Sequence, residues 1–418
     1  MFFFYQFLLT ILIFFAPFII VFRILKNKEH KTRTIEKFSV ISKKRSGGKI
    51  IWFHGSSVGE IMSVIPLIKY YEKNKFISKI LITSSTLSSS KIINKFRLRK
   101  TIHQFYPVDH FFFTNKFLNH WKPNLAIFID SEIWPTMFVN IKRKKIPLIL
   151  LNARITKKTF NRWMLFRNFA EKIFSKVTIA FPQNNETKIL LKKLKINKIK
   201  LIGNLKFIEN NHYKDEEIEK KLYLQFIKYK IWVAASTHSI EEIFSVKAHI
   251  ELKKKYKKII TIIIPRHVDR VDKIISKIKK LKLNVAVHSS KIKNLDNIDI
   301  YIVDTFGDSQ KFYKIGATVF LGKSLSLTPK GGQNPLEAAR YGAKILHGPN
   351  IDNFKDVYKL LNNLKVSKQI NTIQDLVSSV TFQKNKSKGM MIKKIGNKIL
   401  KNTIKELDKF INDEFKKT

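Results

Sequence analysis

The sequence predicts an α/β protein of two doubly wound domains facing a cleft, with an apolar helix at its N-terminus. Three observations carry that expectation. The chain has 418 residues, and ordinary domains run ~100–200 residues, so two cores are the natural division. Short, continuously apolar, β-rich runs alternate with helical patterns, as in parallel sheets covered on both faces. The alternation stops at the polar, patternless stretch Glu209–Glu217 and then restarts.

Met1–Phe22 carries no charge, and a spanning helix needs ~20 apolar residues. It lacks a basic leader region and a small-residue cleavage site, so a cleaved signal peptide is not expected. Arg23, Lys26, Lys28, Lys31 and Arg33 follow, which places the rest of the chain on the cytoplasmic side. A helix lying in the interface and a buried helix of a soluble domain remain alternatives, and Pro17 can kink it in either case. Residues 23–48 read as a basic linker.

The first domain, 49–208, is expected to contain strands at Lys49–His54, Lys79–Ser84, Leu125–Asp130, Pro147–Asn152 and Val177–Phe181, with Lys200–Phe207 as the last. Helical patterns fall at Ile61–Lys73 and Thr156–Phe174. The second domain, 218–418, has strand patterns at Ile231–Ala235, Ile259–Ile264, Leu283–His288, Asp299–Val303, Thr318–Leu321 and Lys344–His347. Its helices fit Ile240–Tyr256, Val271–Leu281, Pro335–Tyr341 and a basic C-terminal stretch, Met390–Lys417.

The formal net charge is +49, from 80 Lys+Arg against 31 Asp+Glu. Such an excess suits an anionic partner: nucleic acid, acidic lipid or a phosphorylated substrate. A coding bias toward A and T, which enriches Lys, Ile, Asn and Phe, accounts for it equally well. A membrane-tethered nucleic-acid binder would interleave basic residues with stacking aromatics. Trp52, Phe53, Trp134 and Phe320 fall instead in or beside strands, where core packing explains them. With no cysteine, disulfides and thiolate metal sites are excluded.

In open α/β sheets, ligands bind beyond the carboxyl ends of strands, and that is where the polar motifs lie. Gly55-Ser56-Ser57-Val58-Gly59-Glu60 follows the first strand. Glu60 there can be a general base or a helix-capping residue, and Gly59 allows close backbone approach. Asp130-Ser131-Glu132-Ile133-Trp134-Pro135 follows another strand, where Asp130 and Glu132 can hold a cation such as an amino group or shape a base's pKa, or Asp130 or Ser131 can cap a helix with Glu132 in its first turn. Arg154 and Lys206 can bind anionic groups or be ordinary exposed cations. In the second half, Ser236-Thr237-His238, Pro265-Arg266-His267 and Asp304-Thr305-Phe306-Gly307-Asp308 each follow a strand. Gly331-Gly332-Gln333-Asn334-Pro335-Leu336-Glu337 opens a helix, so its turn amides suit a phosphate, and Glu337 can accept two ribose hydroxyls. Together these outline a nucleotide pocket. No CxxC, HExxH or GxxxxGK[ST] pattern occurs. His267, a lone histidine, is more simply a hydrogen-bonding group than a metal ligand.

These motifs, in this order, resemble the 3-deoxy-D-manno-octulosonic acid (Kdo) transferases of lipopolysaccharide synthesis. The residues carrying the resemblance are His54 to Glu60, Ser131 to Pro135, Leu151 to Arg154, Gly203 to Lys206, Ala235 to His238, Pro265 to His267 and Gly331 to Glu337. The resemblance implies a GT-B fold of two Rossmann-like domains and an inverting transfer of Kdo from CMP-Kdo to a glucosamine hydroxyl of a phosphorylated lipid A precursor. By matching position it implies Glu60 as catalytic base, with Asp130 and Lys206 supporting the transition state. It also implies Pro265, Arg266, Phe306, Gly307, Asp308, Asn334, Pro335, Leu336 and Glu337 as CMP contacts. Ser57, Gly59, Glu132, Arg154, Ser236, His238, His267, Gly331 and Gly332 are further candidate substrate contacts. No metal, other cofactor or nucleic-acid partner is expected, and the anionic inner membrane is the expected location. The sequence departs from the family's usual Glu at Asp130, Met-Gly-Glu at Phe306-Gly307-Asp308 and His at Gln333. A GT-B enzyme using a UDP-sugar is the alternative.

Overall fold

A computed structural model describes residues 1–96, 98–209, 217–292, 294–325 and 331–416. It divides into two compact units, one made of Met1–Asn210 with Gly396–Thr418 and the other of Asn211–Ile395. Residues 210–216 of the expected linker, and Lys417, lie outside the described residues.

The first unit holds a six-stranded parallel sheet of β1 (Ile50–His54), β2 (Lys79–Ser84), β3 (Thr101–Phe105), β4 (Leu125–Ile129), β5 (Leu148–Ala153) and β6 (Ile179–Pro182). Its order is β3-β2-β1-β4-β5-β6, so the winding reverses between β1 and β4. Such a reversal leaves a crevice beyond the carboxyl ends of those two strands, the usual place for a ligand. The strands are buried on both faces, and Trp52, Phe117, Trp121, Phe128, Phe138 and Phe174 belong to the shared core. This is why β1 reads as a continuous apolar run.

β3 was not expected from its sequence, because His103 and Gln104 interrupt the apolar run. Both are buried and paired: Trp121 Nε1 donates to Gln104 Oε1 at 2.6 Å, and His103 Nε2 lies 2.9 Å from Ser84 Oγ. The expected basic linker also departs from expectation. Arg33–Phe38 forms a 3₁₀ helix on the β3 edge. There Glu36 Oε2 accepts from Phe105 N at 2.9 Å, and Arg33 donates to His103 O at 2.9 Å. These side chains satisfy backbone groups that an exposed edge strand would offer to another chain.

The expected strand Lys200–Phe207 is not one. Only an isolated bridge joins Ala180 and Ile199. Gly203 then turns with φ +118°, and Asn204 Oδ1 accepts from Lys206 N at 2.9 Å to start the 3₁₀ turn Leu205–Phe207. A side-chain cap competes with the strand ladder here. Thr156–Phe174 is two helices, Lys157–Met164 and Arg167–Phe174.

The second unit holds a seven-stranded parallel sheet of β7 (Lys230–Thr237), β8 (Ile259–Pro265), β9 (Val285–Val287), β10 (Ile300–Ile302), β11 (Thr318–Leu321), β12 (Lys344–His347) and β13 (Ser367–Gln369), in the order β13-β12-β11-β7-β8-β10-β9. Its reversal lies between β7 and β11. The expected helix Pro335–Tyr341 shortens to Leu336–Ala339.

The long C-terminal helix, Lys386–Lys416, departs from the expected domain boundary, since residues from Gly396 onward belong to the first unit. Ile399 packs on Gly203. Tyr71 Oη donates to Asp408 Oδ1 at 3.0 Å, and Lys200 pairs with Glu406 at 2.8 Å.

The apolar N-terminus is also not one helix. Phe2–Phe14 and Ala16–Leu25 meet at a 55° bend, with Pro17 in the first turn of the second. No single helix among the described residues is long and apolar enough to cross a membrane, although the bent pair qualifies together by length and composition.

Candidate active site

At the β1–β4 reversal, the first unit gathers three carboxylates and two cations. Ser57 caps the helix Val58–Glu72, and Glu60 completes a capping box with it. Glu60 Oε2 accepts from Ser56 N at 2.7 Å and Ser57 N at 3.3 Å, while Oε1 accepts from Ser57 Oγ at 2.8 Å. Despite these hydrogen bonds its carboxyl is pushed up to about 7, by burial first and then by the charges of Glu132 and Asp130. Capping and acid–base poise therefore coexist in one residue. Gly55 leaves room for this carboxylate, since a Cβ there would lie 3.2 Å from Glu60 Cβ. Gly59 has open space where a Cβ would stand.

Glu132 has the opposite environment. Its Oε2 accepts from Ser56 Oγ at 2.6 Å and Trp134 Nε1 at 2.9 Å, and lies 3.1 Å from His54 Nε2. Burial alone would raise its pKa, but the bonds from His54, Ser56 and Trp134 outweigh burial and hold it below the usual carboxylate value. His54 is fully buried, and burial lowers its pKa against the opposing effects of Glu132 and Thr83 O. Its Nδ1 meets Thr83 Oγ1 at 2.9 Å, and that oxygen accepts from Trp52 Nε1. The ionised Glu132 carboxylate only accepts, so His54 Nε2–H donates to it. Neighbouring carboxylates pushed to different pKa values are a recurring sign of divided acid–base roles.

Asp130 follows β4 directly and sits in the left-handed region, with φ +60°. A non-glycine residue held there costs ~1–3 kcal/mol, a strain found disproportionately at functional sites. Its Oδ1 is buried without a hydrogen-bond partner among the described residues, and Oδ2 lies 4.0 Å from Lys206 Nζ. Burial raises its pKa more than Lys206 and Arg154 lower it. Asn152, also at positive φ, ends β5 and accepts from Leu205 N at 2.9 Å, fixing the turn that carries Lys206. The structure thus brings together Glu60, Asp130, Glu132, Arg154 and Lys206.

In the second unit the motifs lie on loops beyond the carboxyl ends of its strands. Ser236 has φ +53°. The His238 and His267 rings are 5.6 Å apart, and His238 Nε2 is buried without a hydrogen-bond partner among the described residues. Pro265 ends β8, and Arg266 is exposed beyond it. Asn334 Nδ2 reaches Glu337 Oε1 at 3.4 Å. Burial raises the Glu337 carboxyl against the opposing effects of Arg340 and Asn334. Phe306 is 79% exposed. Gly307 has φ +97°, and Asp308 pairs with Lys311 at 2.6 Å. The helices Ser309–Tyr313 and Leu336–Ala339 pack together.

One expectation needs correcting. The amides of Gly331 and Gly332 are not open to a phosphate: Gly331 N donates to Asn350 Oδ1 at 2.8 Å and Gly332 N to Lys323 O at 2.7 Å. The glycines serve close backbone packing there, since a Cβ on Gly332 would lie 2.9 Å from Ile351 Cα.

The sequence reading missed Glu241. Its buried carboxylate accepts from His238 N (3.0 Å), Lys323 N (2.7 Å), Ser324 N (2.8 Å) and Leu325 N (3.0 Å). The available signal was capping-box spacing, an acid three residues after His238. The contacts to 323–325 are long-range and left no local mark. Among the described residues, no group of three His, Asp or Glu side chains could hold a metal ion.

Two parallel α/β sheets wound this way define a fold resembling the GT-B glycosyltransferases. The fold is shared with a glycosyltransferase from Rickettsia africae (TM-score 0.55, 14% identical, covering 88% of this chain and 99% of that one). It is also shared with the UDP-GlcNAc 2-epimerase from Neisseria meningitidis bound to UDP-GlcNAc (TM-score 0.56, 13% identical, covering 87% and 100%). Residues 32–209 match the family model described as 3-deoxy-D-manno-octulosonic-acid transferase (kdotransferase). The chain is 32% identical over 365 residues to the 3-deoxy-D-manno-octulosonic acid transferase of Rickettsia felis, covering 87% of this chain and 78% of that one. It belongs to the 3-deoxy-D-manno-octulosonic acid transferase family.

Proposed function

We propose that the chain transfers Kdo from CMP-Kdo to a glucosamine hydroxyl of a phosphorylated lipid A precursor, with inversion at the anomeric carbon. The observation that carries the mechanism is Glu60. Its Oε2 is anchored by two backbone amides, Oε1 faces the Ser57 hydroxyl, and its carboxyl is poised at about 7. A base works best with a pKa near the operating pH. Glu60 removes the acceptor hydroxyl's proton as that oxygen bonds to the anomeric carbon. The bond from that carbon to the CMP phosphate oxygen breaks, and its electron pair leaves with CMP. The proton passes from Glu60 to water.

Asp130 and Lys206 steady the positive character of the sugar centre and the departing phosphate. Asp130 lacks one methylene of the family's usual Glu, and its Oδ2 lies 4.0 Å from Lys206 Nζ. On the second unit, Arg266 and His267 take the CMP phosphate, Phe306 and Pro265 line the base, and Asn334 and Glu337 take the ribose. The cations Arg266 and Lys206 carry the phosphate charge in this reading.

The bent apolar pair Phe2–Phe14 and Ala16–Leu25 exposes Phe3, Phe7, Phe14 and Phe18, which suits seating in a bilayer. The net charge of +49 favours an anionic leaflet, at ~1 kcal/mol for each basic residue near the surface. The inner membrane, with both units on its cytoplasmic side, is the location this supports.

The test is a transfer assay with the full chain, CMP-Kdo made in situ and a tetraacylated lipid A precursor, with products read by mass spectrometry. A gain of one or more Kdo units is expected. No gain with CMP-Kdo, but a gain with a UDP-sugar, would replace the donor assignment.

A further inference from the structure

The helix Pro135–Arg143 starts beside Trp134, whose indole holds Glu132, but Trp134 supplies no side-chain cap for it. Its free amides Thr136 N and Met137 N donate instead to Asp109 Oδ2 and Oδ1 at 2.9 and 2.8 Å. Asp109 lies in the loop after β3 and is buried. Its other partner comes from the apolar N-terminal helix: Tyr5 Oη donates to Oδ2 at 2.9 Å. Gln6 adds two bonds, giving from Nε2 to Thr136 Oγ1 at 2.5 Å and accepting at Oε1 from Phe111 N at 2.9 Å. Polar side chains in an apolar helix are costly unless they face protein partners, and these two meet the starts of two helices. In the same loop, Tyr106 stacks on His54 at 3.8 Å and lies 5.0 Å from Trp134. Burial lifts the Asp109 carboxyl to about 6, although its amide and hydroxyl donors favour the anion.

We propose that Asp109 is a positioning residue for the transfer, tying the placement of Glu132, and through it the poise of Glu60, to the seating of the N-terminal helix by Tyr5 and Gln6. This rests on the reading of Glu60 as the base. The apolar helix is then part of the catalytic apparatus as well as a membrane attachment, and the reaction runs at full rate only when that helix is docked.

The test uses the full chain in detergent with fluorotryptophan incorporated. The Trp134 fluorine resonance is assigned by its loss in Trp134→Phe. In Tyr5→Phe/Gln6→Ala that resonance should shift, and kcat should fall ~10-fold with the KM for CMP-Kdo unchanged, because small misplacements in an active site cost rate steeply. Asp109→Asn, which keeps the side-chain shape, should show the same split. A folded double variant with an unmoved Trp134 resonance overturns the proposal. So does an unchanged kcat of the folded double variant in the same detergent. If the wild-type chain transfers no Kdo, the reading of the reaction fails, while the resonance still decides whether the helix and Trp134 are coupled.

Discussion

The two sheets reverse beside their first strands, β1 and β7, yet the crevices they create have opposite chemistry. At β1, Glu60 and Asp130 are carboxylates that burial and the neighbouring charge of Glu132 push toward neutrality. At β7, Glu241 is a carboxylate whose two oxygens are covered by four backbone amides, and the side chains left facing outward are Arg266 and His267. On the function proposed above, the same topology serves proton removal in one unit and anion binding in the other. What differs is whether the carboxylate at the reversal is satisfied by backbone or left to work.

The largest effect expected from that contrast is at Glu60. Glu60→Gln keeps the capping geometry and removes the base, so kcat should fall ~100- to 10,000-fold in single-turnover assays. Glu60 has a folded pKa raised to about 7 from 4.5, so its charge opposes folding increasingly as pH rises through that window. The Gln variant should therefore be slightly more stable than wild type at pH 8, by ~1 kcal/mol after allowance for partial exposure. Lower stability there would contradict this account.

Removing the satisfied carboxylate should act on folding instead. Glu241→Ala strands buried amides at 323–325 and should cost about 2–4 kcal/mol in denaturant melts, with donor KM raised. Gly322→Ala probes the same place: a Cβ would stand 2.6 Å from Thr237 Cα, a backbone atom that cannot swing away. A loss of ~1–3 kcal/mol is expected.

A subtler effect sharpens the pH argument. Activity should rise with pH through about 7 as Glu60 loses its proton. Because the Glu132 charge helps hold that value up, Glu132→Gln should move this limb to lower pH. An unmoved limb would mean that another group titrates. The smallest change is Gly59→Ala. The site has open space and helical backbone, so Ala should stabilise by ~0.5–1 kcal/mol. A drop in transfer without loss of stability would show that the acceptor approaches the backbone there.

Much of this was legible from local pattern. Buried parallel strands are apolar throughout, so β1, β4, β5, β7 and β8 could be read directly, and polar motifs immediately after them marked the site face. Glu60 could be found because a strand, a glycine turn and a helix start are adjacent in sequence. β3 and Glu241 could not be read this way, because each depends on partners distant in the chain: His103 and Gln104 are buried only because Ser84 and Trp121 meet them. The expected Gly331-Gly332 cradle failed for the same reason, since Asn350 and Lys323 O already hold those amides.

The sequence by itself determined the α/β alternation, the placement of Glu60, Asp130 and Arg266 just after strands and of Glu337 at a helix start, and the apolar N-terminus, because each is written in neighbouring residues. Only the tertiary structure decided which carboxylate is ionised and which is poised. It alone showed that the final helix packs on Gly203 and Tyr71, and that Tyr5 reaches Asp109. Burial and hydrogen bonding set those outcomes, and both are properties of groups brought together from distant parts of the chain.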